Sequence, residues 1–271
     1  MSITNQRNLM LKSFVAVSIY LGLAFFNSFA HAEGLISVSS LPYGKDKFEG
    51  FLVKPQQIKK GTPAILMIHN WMGATDETVK QAKRFAELGY VVMVADVYGK
   101  GVRPKDATEA GIEATKFKTN RKLLRENLNI ALKTLNQQKD IDTGKVTAVG
   151  YCFGGTAALE LVRSGAKIAA VISFHGGLDS PTPEDGKNIK SKILALHGAI
   201  DPYVAESDLN AFEKEMKTYK IDYQLVKYAN TVHAFTEEGA GTNNSKGAAY
   251  NATSDKRSFQ AAKDFLTEVN L

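Results

Sequence analysis

Three residues of this chain carry side chains whose types and order suit nucleophilic chemistry: the thiol of Cys152, the carboxylate of Asp201 and the imidazole of His233. Cys152 is the only cysteine, and it stands in Gly150-Tyr151-Cys152-Phe153-Gly154-Gly155. Glycines on both sides of a central residue let two backbone segments approach closely, so the turn can hold its middle side chain in a strained, projecting geometry. The chemistry divides among the three groups. A histidine holds or accepts the thiol proton, an aspartate orients the imidazole and stabilises its charged form, and the thiolate attacks a carbonyl. Such an attack also needs donors for the developing oxyanion. The backbone N–H of Phe153, at the amino end of a helix, is one candidate, and that of Trp71, in the loop after the first long buried strand, is the other.

Taken singly, each residue has a plainer explanation. A lone cysteine can be a buried, inert thiol, Asp201-Pro202 suits a turn start and helix cap, and His233 could be a satisfied interior histidine. The joint reading rests on position: the three residues follow three different predicted strands in the order nucleophile, acid, histidine, which is the order expected of α/β-hydrolases. His69, His175 and His197 also sit at strand ends. None has His-x-x-x-His spacing or a paired cysteine, so they read as structural strand exits; no metal and no cofactor is expected.

The elements that must position these groups are legible as periodicity. Leu35 to Ser40 and Lys47 to Val53 predict an amino-terminal hairpin or meander around Pro42-Tyr43-Gly44. Ala64 to Ile68 is a continuous apolar run, as for a strand buried on both faces. A helix follows from about Asp76 to Leu88 with a stop at Gly89, then a strand from Tyr90 to Ala95, then a mostly helical stretch from about Thr108 to Gln137. The run Val146 to Val149 enters the cysteine turn as a strand, and Thr156 to Leu161 leaves it as a helix. Strands at Ile168 to Phe174, Lys192 to His197 and Tyr223 to Tyr228 alternate with helices at Ala205 to Tyr219 and Asp255 to Val269. The alternation predicts an α/β fold of one domain: a mainly parallel, doubly wound sheet with helices on both faces. The Gly- and Asn-rich segment 237–253 reads equally as a flap over the site or as an ordinary surface loop.

At the amino terminus, Arg7 and Lys12 precede an apolar run from Phe14 to Phe26, and Ala30-His31-Ala32 follows with no acidic residue before Glu33. This is the pattern of a secretory signal peptide over residues 1–32, cleaved after Ala32, leaving residues 33–271 as the mature domain in the periplasm or secreted. An apolar run of about 13 residues is short of the roughly 20 needed to span a bilayer, so no stable membrane anchor is expected after cleavage. The net charge of +6 is spread along the chain without a basic run interleaved with aromatics. Nucleic acid is therefore not an expected partner; a small ester or lactone is. A thiol sensor would be expected to carry a resolving cysteine, which this chain lacks. A ligand-binding protein with little turnover on the same scaffold is the alternative.

On Gly150-Tyr151-Cys152-Phe153-Gly154-Gly155, Asp96-Val97-Tyr98, His197-Gly198-Ala199-Ile200-Asp201-Pro202 and Val232-His233-Ala234-Phe235, the chain resembles the dienelactone hydrolases, the cysteine branch of the α/β-hydrolases, over about Phe51 to Phe265. The resemblance implies that Cys152, Asp201 and His233 are catalytic, that Phe153 and Trp71 donate to the oxyanion, and that Asn70, Tyr98, Lys100 and Glu237 fall at substrate-binding places. Dienelactone-cleaving members have a glutamate where Asn70 stands, so activation of the thiol falls to His233. They bind the substrate carboxylate through two arginines where this chain offers Lys100 and Glu237. Glu237 would repel an anionic lactone, so the expected substrate is an ester or lactone other than the one for which the family is named.

Overall fold

The computed structural model describes residues 36–270; the predicted signal peptide lies outside the described residues. One eight-stranded sheet runs in the order β1-β2-β4-β3-β5-β6-β7-β8. Its strands are β1 (Ser37–Tyr43), β2 (Phe48–Lys54), β3 (Thr62–Ile68), β4 (Val91–Ala95), β5 (Ile141–Tyr151), β6 (Ala170–Phe174), β7 (Lys192–Gly198) and β8 (Tyr223–Tyr228). β1 and β2 pair antiparallel and β2 joins β4 antiparallel, while the six strands from β4 to β8 are mutually parallel. The helices are α1 (Asp76–Ala86), α2 (Ala107–Thr119), α3 (Arg121–Asn136), α4 (Phe153–Arg163), α5 (Glu206–Thr218) and α6 (Ala252–Val269). Among the described residues, no helix is long and apolar enough to cross a membrane.

Successive side chains of a strand point to opposite faces, so the apolar run of β3 serves two cores. Ala64, Leu66 and Ile68 join Leu124, Leu128 and Leu135 of α3 and Leu159 and Val162 of α4 on one face. Ile65 and Met67 join Val79, Ala82 and Phe85 of α1 and Ala262 and Leu266 of α6 on the other. Each fully buried aliphatic or aromatic side chain contributes about 1.5–3 kcal/mol relative to exposure. Because β5, β6, β7 and β8 run parallel, the loops after β5, β7 and β8 emerge at the same end of the sheet.

Several predicted boundaries move, with β5 beginning at Ile141 and α4 at Phe153, and three others move for a local reason. β1 continues through Pro42 to Tyr43, because Pro is tolerated on an edge strand and the buried Tyr43 hydroxyl donates to the carbonyl of Asp96 at 2.6 Å; the reversal falls instead on Gly44, Lys45 and Asp46, all with positive φ. The long helical stretch is two helices, broken at Asn120, whose side chain leaves the helical path to cap α3 by accepting from Leu123 N at 3.0 Å. Helix α1 ends two residues early in a turn closed by Gly89 (φ 93°) and the Tyr90 N–H donating to Phe85 O.

Segment 237–253 is tied down. His233 N donates to Gly247 O, Ala249 N to His233 O and Asn251 N to Phe235 O, and the Tyr203 hydroxyl donates to Lys246 O at 3.3 Å. The segment thus braces the loop bearing His233 and the loop bearing Asp201 together. Asn251 caps α6 by accepting from Ser254 N.

Candidate active site

The turn after β5 is built on contact distances that only glycine permits. A Cβ on Gly150 would fall inside the carbonyl of Gly154, and one on Gly154 would fall inside that of Ile68. This close approach lets α4 start one residue after Cys152, and it forces Cys152 to φ 54°, ψ −118°. A non-glycine residue held there stores about 1–3 kcal/mol of strain. The strain is held by Cys152 N donating to Phe174 O and Gly155 N donating to Cys152 O, both at 3.0 Å.

The sulfur lies 3.1 Å from His233 Nε2, and His233 Nδ1 lies 2.7 Å from Asp201 Oδ2. A carboxylate only accepts, so Nδ1 carries a hydrogen and Nε2 faces the sulfur. Asp201 is buried, and its other oxygen accepts from Tyr203 N at 2.9 Å, a turn that fixes the carboxylate. Burial pulls the His233 imidazole down, but the facing sulfur in its charged form and the Asp201 carboxylate together push it up to about 10.

That shift has a sign that can be tested. A histidine raised in the folded state contributes stability that is fully present below its ordinary value of 6.5 and is lost as pH rises through about 10. The His233 ring proton is expected to titrate near pH 10 in NMR spectra of the wild-type chain, and to move down toward 6.5 in Cys152→Ala, which removes the larger of its two charged partners. A resonance that titrates at the same pH in both proteins would exclude the coupling.

The loop after β3 supplies the other wall. His69 is buried; Nδ1 lies 2.6 Å from Asn70 O and Nε2 accepts from Val97 N at 3.1 Å. Since Nε2 accepts, Nδ1 is the donor, and burial holds the ring neutral with its pKa lowered to about 4. Tyr98 is buried and donates to Trp71 O at 3.0 Å, so the residue expected at the substrate also holds the loop expected to carry an oxyanion donor. Its phenol is pushed up by burial and then by the charge of Cys152, and its ring packs against His69, Phe117 and Phe153. Phe153 opens α4, where the first N–H groups of a helix lack intrahelical acceptors.

Asn70 and Glu237 meet: Asn70 Nδ2 donates to Glu237 Oε1 at 3.1 Å. Burial pushes the Glu237 carboxyl up, against the Asn70 hydrogen bond and the charge of His233. Lys100 turns to the surface, where its ammonium pairs with Asp46 at 2.8 Å. Two residues near the site carry no periodic or motif signal in the sequence. Tyr203 stacks edge-on to His233 with centroids 5.4 Å apart, and the residue is 63% exposed. His175 lies 5.1 Å edge-on behind the same imidazole, with Nε2 2.8 Å from Thr236 Oγ1. Burial, then the charge of His233, keeps His175 neutral. Only its place at a strand end gave any signal.

Comparison with known proteins identifies the family and the fold. The sequence pattern of the dienelactone hydrolase family matches residues 48–270. A solved structure of a dienelactone hydrolase-like promiscuous phosphotriesterase from metagenomic libraries superposes with a TM-score of 0.81 at 30% identity, covering 86% of this chain and 98% of that one. A Bradyrhizobium protein named "Probable 2-oxo-3-(5-oxofuran-2-ylidene)propanoate lactonase" is 26% identical over 65% of this chain and 74% of its own. A human carboxymethylenebutenolidase homolog is 28% identical over 54% of this chain and 59% of its own. With eight strands in α/β-hydrolase order and a family match over most of its length, the chain belongs to the dienelactone hydrolase family and is a hydrolase of that fold.

Proposed function

We propose that the protein is an exported thiol hydrolase that cleaves small carboxylic esters or lactones through an acyl-cysteine intermediate. The observation that carries this reading is the continuous contact chain from Asp201 Oδ2 through both nitrogens of His233 to Cys152 Sγ, at 2.7 and 3.1 Å. The sulfur of Cys152 attacks the carbonyl carbon, and the π pair moves to oxygen, which the N–H groups of Phe153 and Trp71 receive. When the tetrahedral intermediate collapses, the C–O bond breaks and the leaving oxygen takes the proton held on His233 Nε2. Neutral His233 then removes a proton from water as it attacks the thioester, and the acid product leaves as the S–C bond breaks. In a lactone the leaving oxygen stays attached to the acyl group.

Substrate charge follows from the surroundings. Lys100 is occupied by Asp46, and Glu237 sits close enough to feel His233, so an acyl group without its own carboxylate is favoured. The relatives named for lactone cleavage and for phosphotriester cleavage support a scaffold open to several esters. Export is supported by the sequence of residues 1–32 alone; the mature chain is expected to begin at Glu33 on amino-terminal sequencing, and an intact Met1 would exclude cleavage.

Acid-quenched intact-mass spectra after brief exposure to neutral nitrophenyl esters and lactones are expected to show one acyl group added to Cys152, clearing as product appears. An adduct that forms and never clears would instead identify a scavenging protein. Turnover without any adduct, unaltered in Cys152→Ala, would exclude the thiol route.

A further inference from the structure

As a deepening of the thiol-hydrolase reading, on which it rests, we propose that Asn70 and Glu237 form a positioning pair that ties the His233 loop to the oxyanion loop and aims the Trp71 N–H. The N–H of Trp71 belongs to the peptide whose carbonyl is Asn70 O. In a trans peptide the two point in opposite directions, so whatever anchors that oxygen aims the N–H. His69 Nδ1 at 2.6 Å and Gly73 N at 3.3 Å anchor it, and Tyr98 holds the next carbonyl at 3.0 Å.

The Asn70 side chain closes the same turn from inside, because Oδ1 accepts from Met72 N at 2.9 Å. That bond needs the amide in one of its two orientations. Glu237, an acceptor, binds Nδ2 at 3.1 Å and selects the orientation that presents Oδ1 to Met72. Glu237 is itself set relative to His233, since its own N–H donates to Ala234 O at 2.9 Å across a turn in which Ala234 has φ 55°. The hydrogen bond spans 167 residues, so one side chain couples the base to the oxyanion donor. The pair acts through Trp71 and does not touch the reacting atoms.

The groups facing Glu237 are Asn70 from the β3 loop, Glu77, Thr78 and Gln81 from α1, Tyr151 from β5, and His233 from its own loop. Glu77 is the one further carboxylate and His233 the one cationic group among them; a second carboxylate at position 70, at the 3.1 Å contact, would share a proton with Glu237.

The test uses the mature chain with a neutral nitrophenyl ester. Glu237→Leu is expected to lower kcat by about ten- to a hundred-fold with KM changed less than about three-fold, below the loss of two to three decades for deleting an oxyanion donor outright. Glu237→Gln keeps an acceptor and is expected to retain kcat at least about five-fold above Glu237→Leu. In Asn70→Asp the ratio of kcat to that of the wild type is expected to rise about ten-fold as pH falls and the shared proton restores the bond. Trp71 is the only tryptophan, so its emission reads the loop without substrate: Glu237→Leu should shift it and Glu237→Gln should shift it less. Wild-type kcat and emission in Glu237→Leu would overturn the pair, as would a glutamine variant no better than leucine together with a flat Asn70→Asp ratio. If Glu237→Leu does not fold, the other two variants decide. Turnover that survives Cys152→Ala would overturn the thiol-hydrolase reading alone, and the emission of Trp71 would still decide the pair.

Discussion

Cys152→Ala is expected to lower kcat/KM for short nitrophenyl esters by at least about 10³-fold while leaving the fold intact. The size follows from what is lost and what remains. The substitution removes the only sulfur positioned at 3.1 Å from His233 Nε2, so no acyl-enzyme forms and the reaction reverts to direct attack by water. His233, Asp201 and the two proposed oxyanion donors survive, and such remnants typically leave a residual enhancement over water. Cys152→Ser keeps the elbow but offers a hydroxyl, a far weaker nucleophile at neutral pH unless the base removes its proton. It is expected to fall between alanine and wild type. Initial-rate assays on the three proteins check the order; wild-type activity in Cys152→Ala would remove the nucleophile from the mechanism.

The second large effect is on stability. Arg163 on α4 is fully buried, with Nε at 2.9 Å and Nη2 at 2.6 Å from the two oxygens of Glu215 on α5, and Nη1 at 3.1 Å from Glu160. It also donates to the carbonyls of Leu178 and Asp179, in the loop that follows His175. Removing the guanidinium strands Glu215, itself buried, in a site of low dielectric. Breaking one partner out of such a pair costs about 3–5 kcal/mol, whereas replacing both by apolar residues is often neutral. Arg163→Met is therefore expected to lower the midpoint of thermal unfolding by roughly 10 °C for a domain of this size. The double variant Arg163→Met with Glu215→Leu should recover much of that loss. Calorimetry on the single and double variants checks it, and equal midpoints for Arg163→Met and wild type would show that the buried pair contributes nothing.

Much of this was legible in the chain itself. Buried parallel strands announce themselves as unbroken apolar runs, and β3, β4, β6 and β7 fall within a residue or two of the expected limits. The glycines around Cys152 mark the elbow because nothing larger fits there. The contact chain Asp201–His233–Cys152 joins three residues that strand ends and their order single out. What stayed hidden depends on contacts between residues far apart in sequence, which leave no trace in periodicity. The Asn70–Glu237 bond and the Arg163–Glu215 pair are of this kind, as is the turning of Lys100 toward Asp46. Asn120 breaks a helical pattern whose apolar spacing continues across it, since a cap acts through one side chain and does not alter the period.

The backbone of Cys152 sets activity and stability against each other at a single position. A glycine there would adopt φ 54° without the strain that Cys152 carries. Under the proposed mechanism the strained cysteine trades some stability of the fold for a reactive thiol.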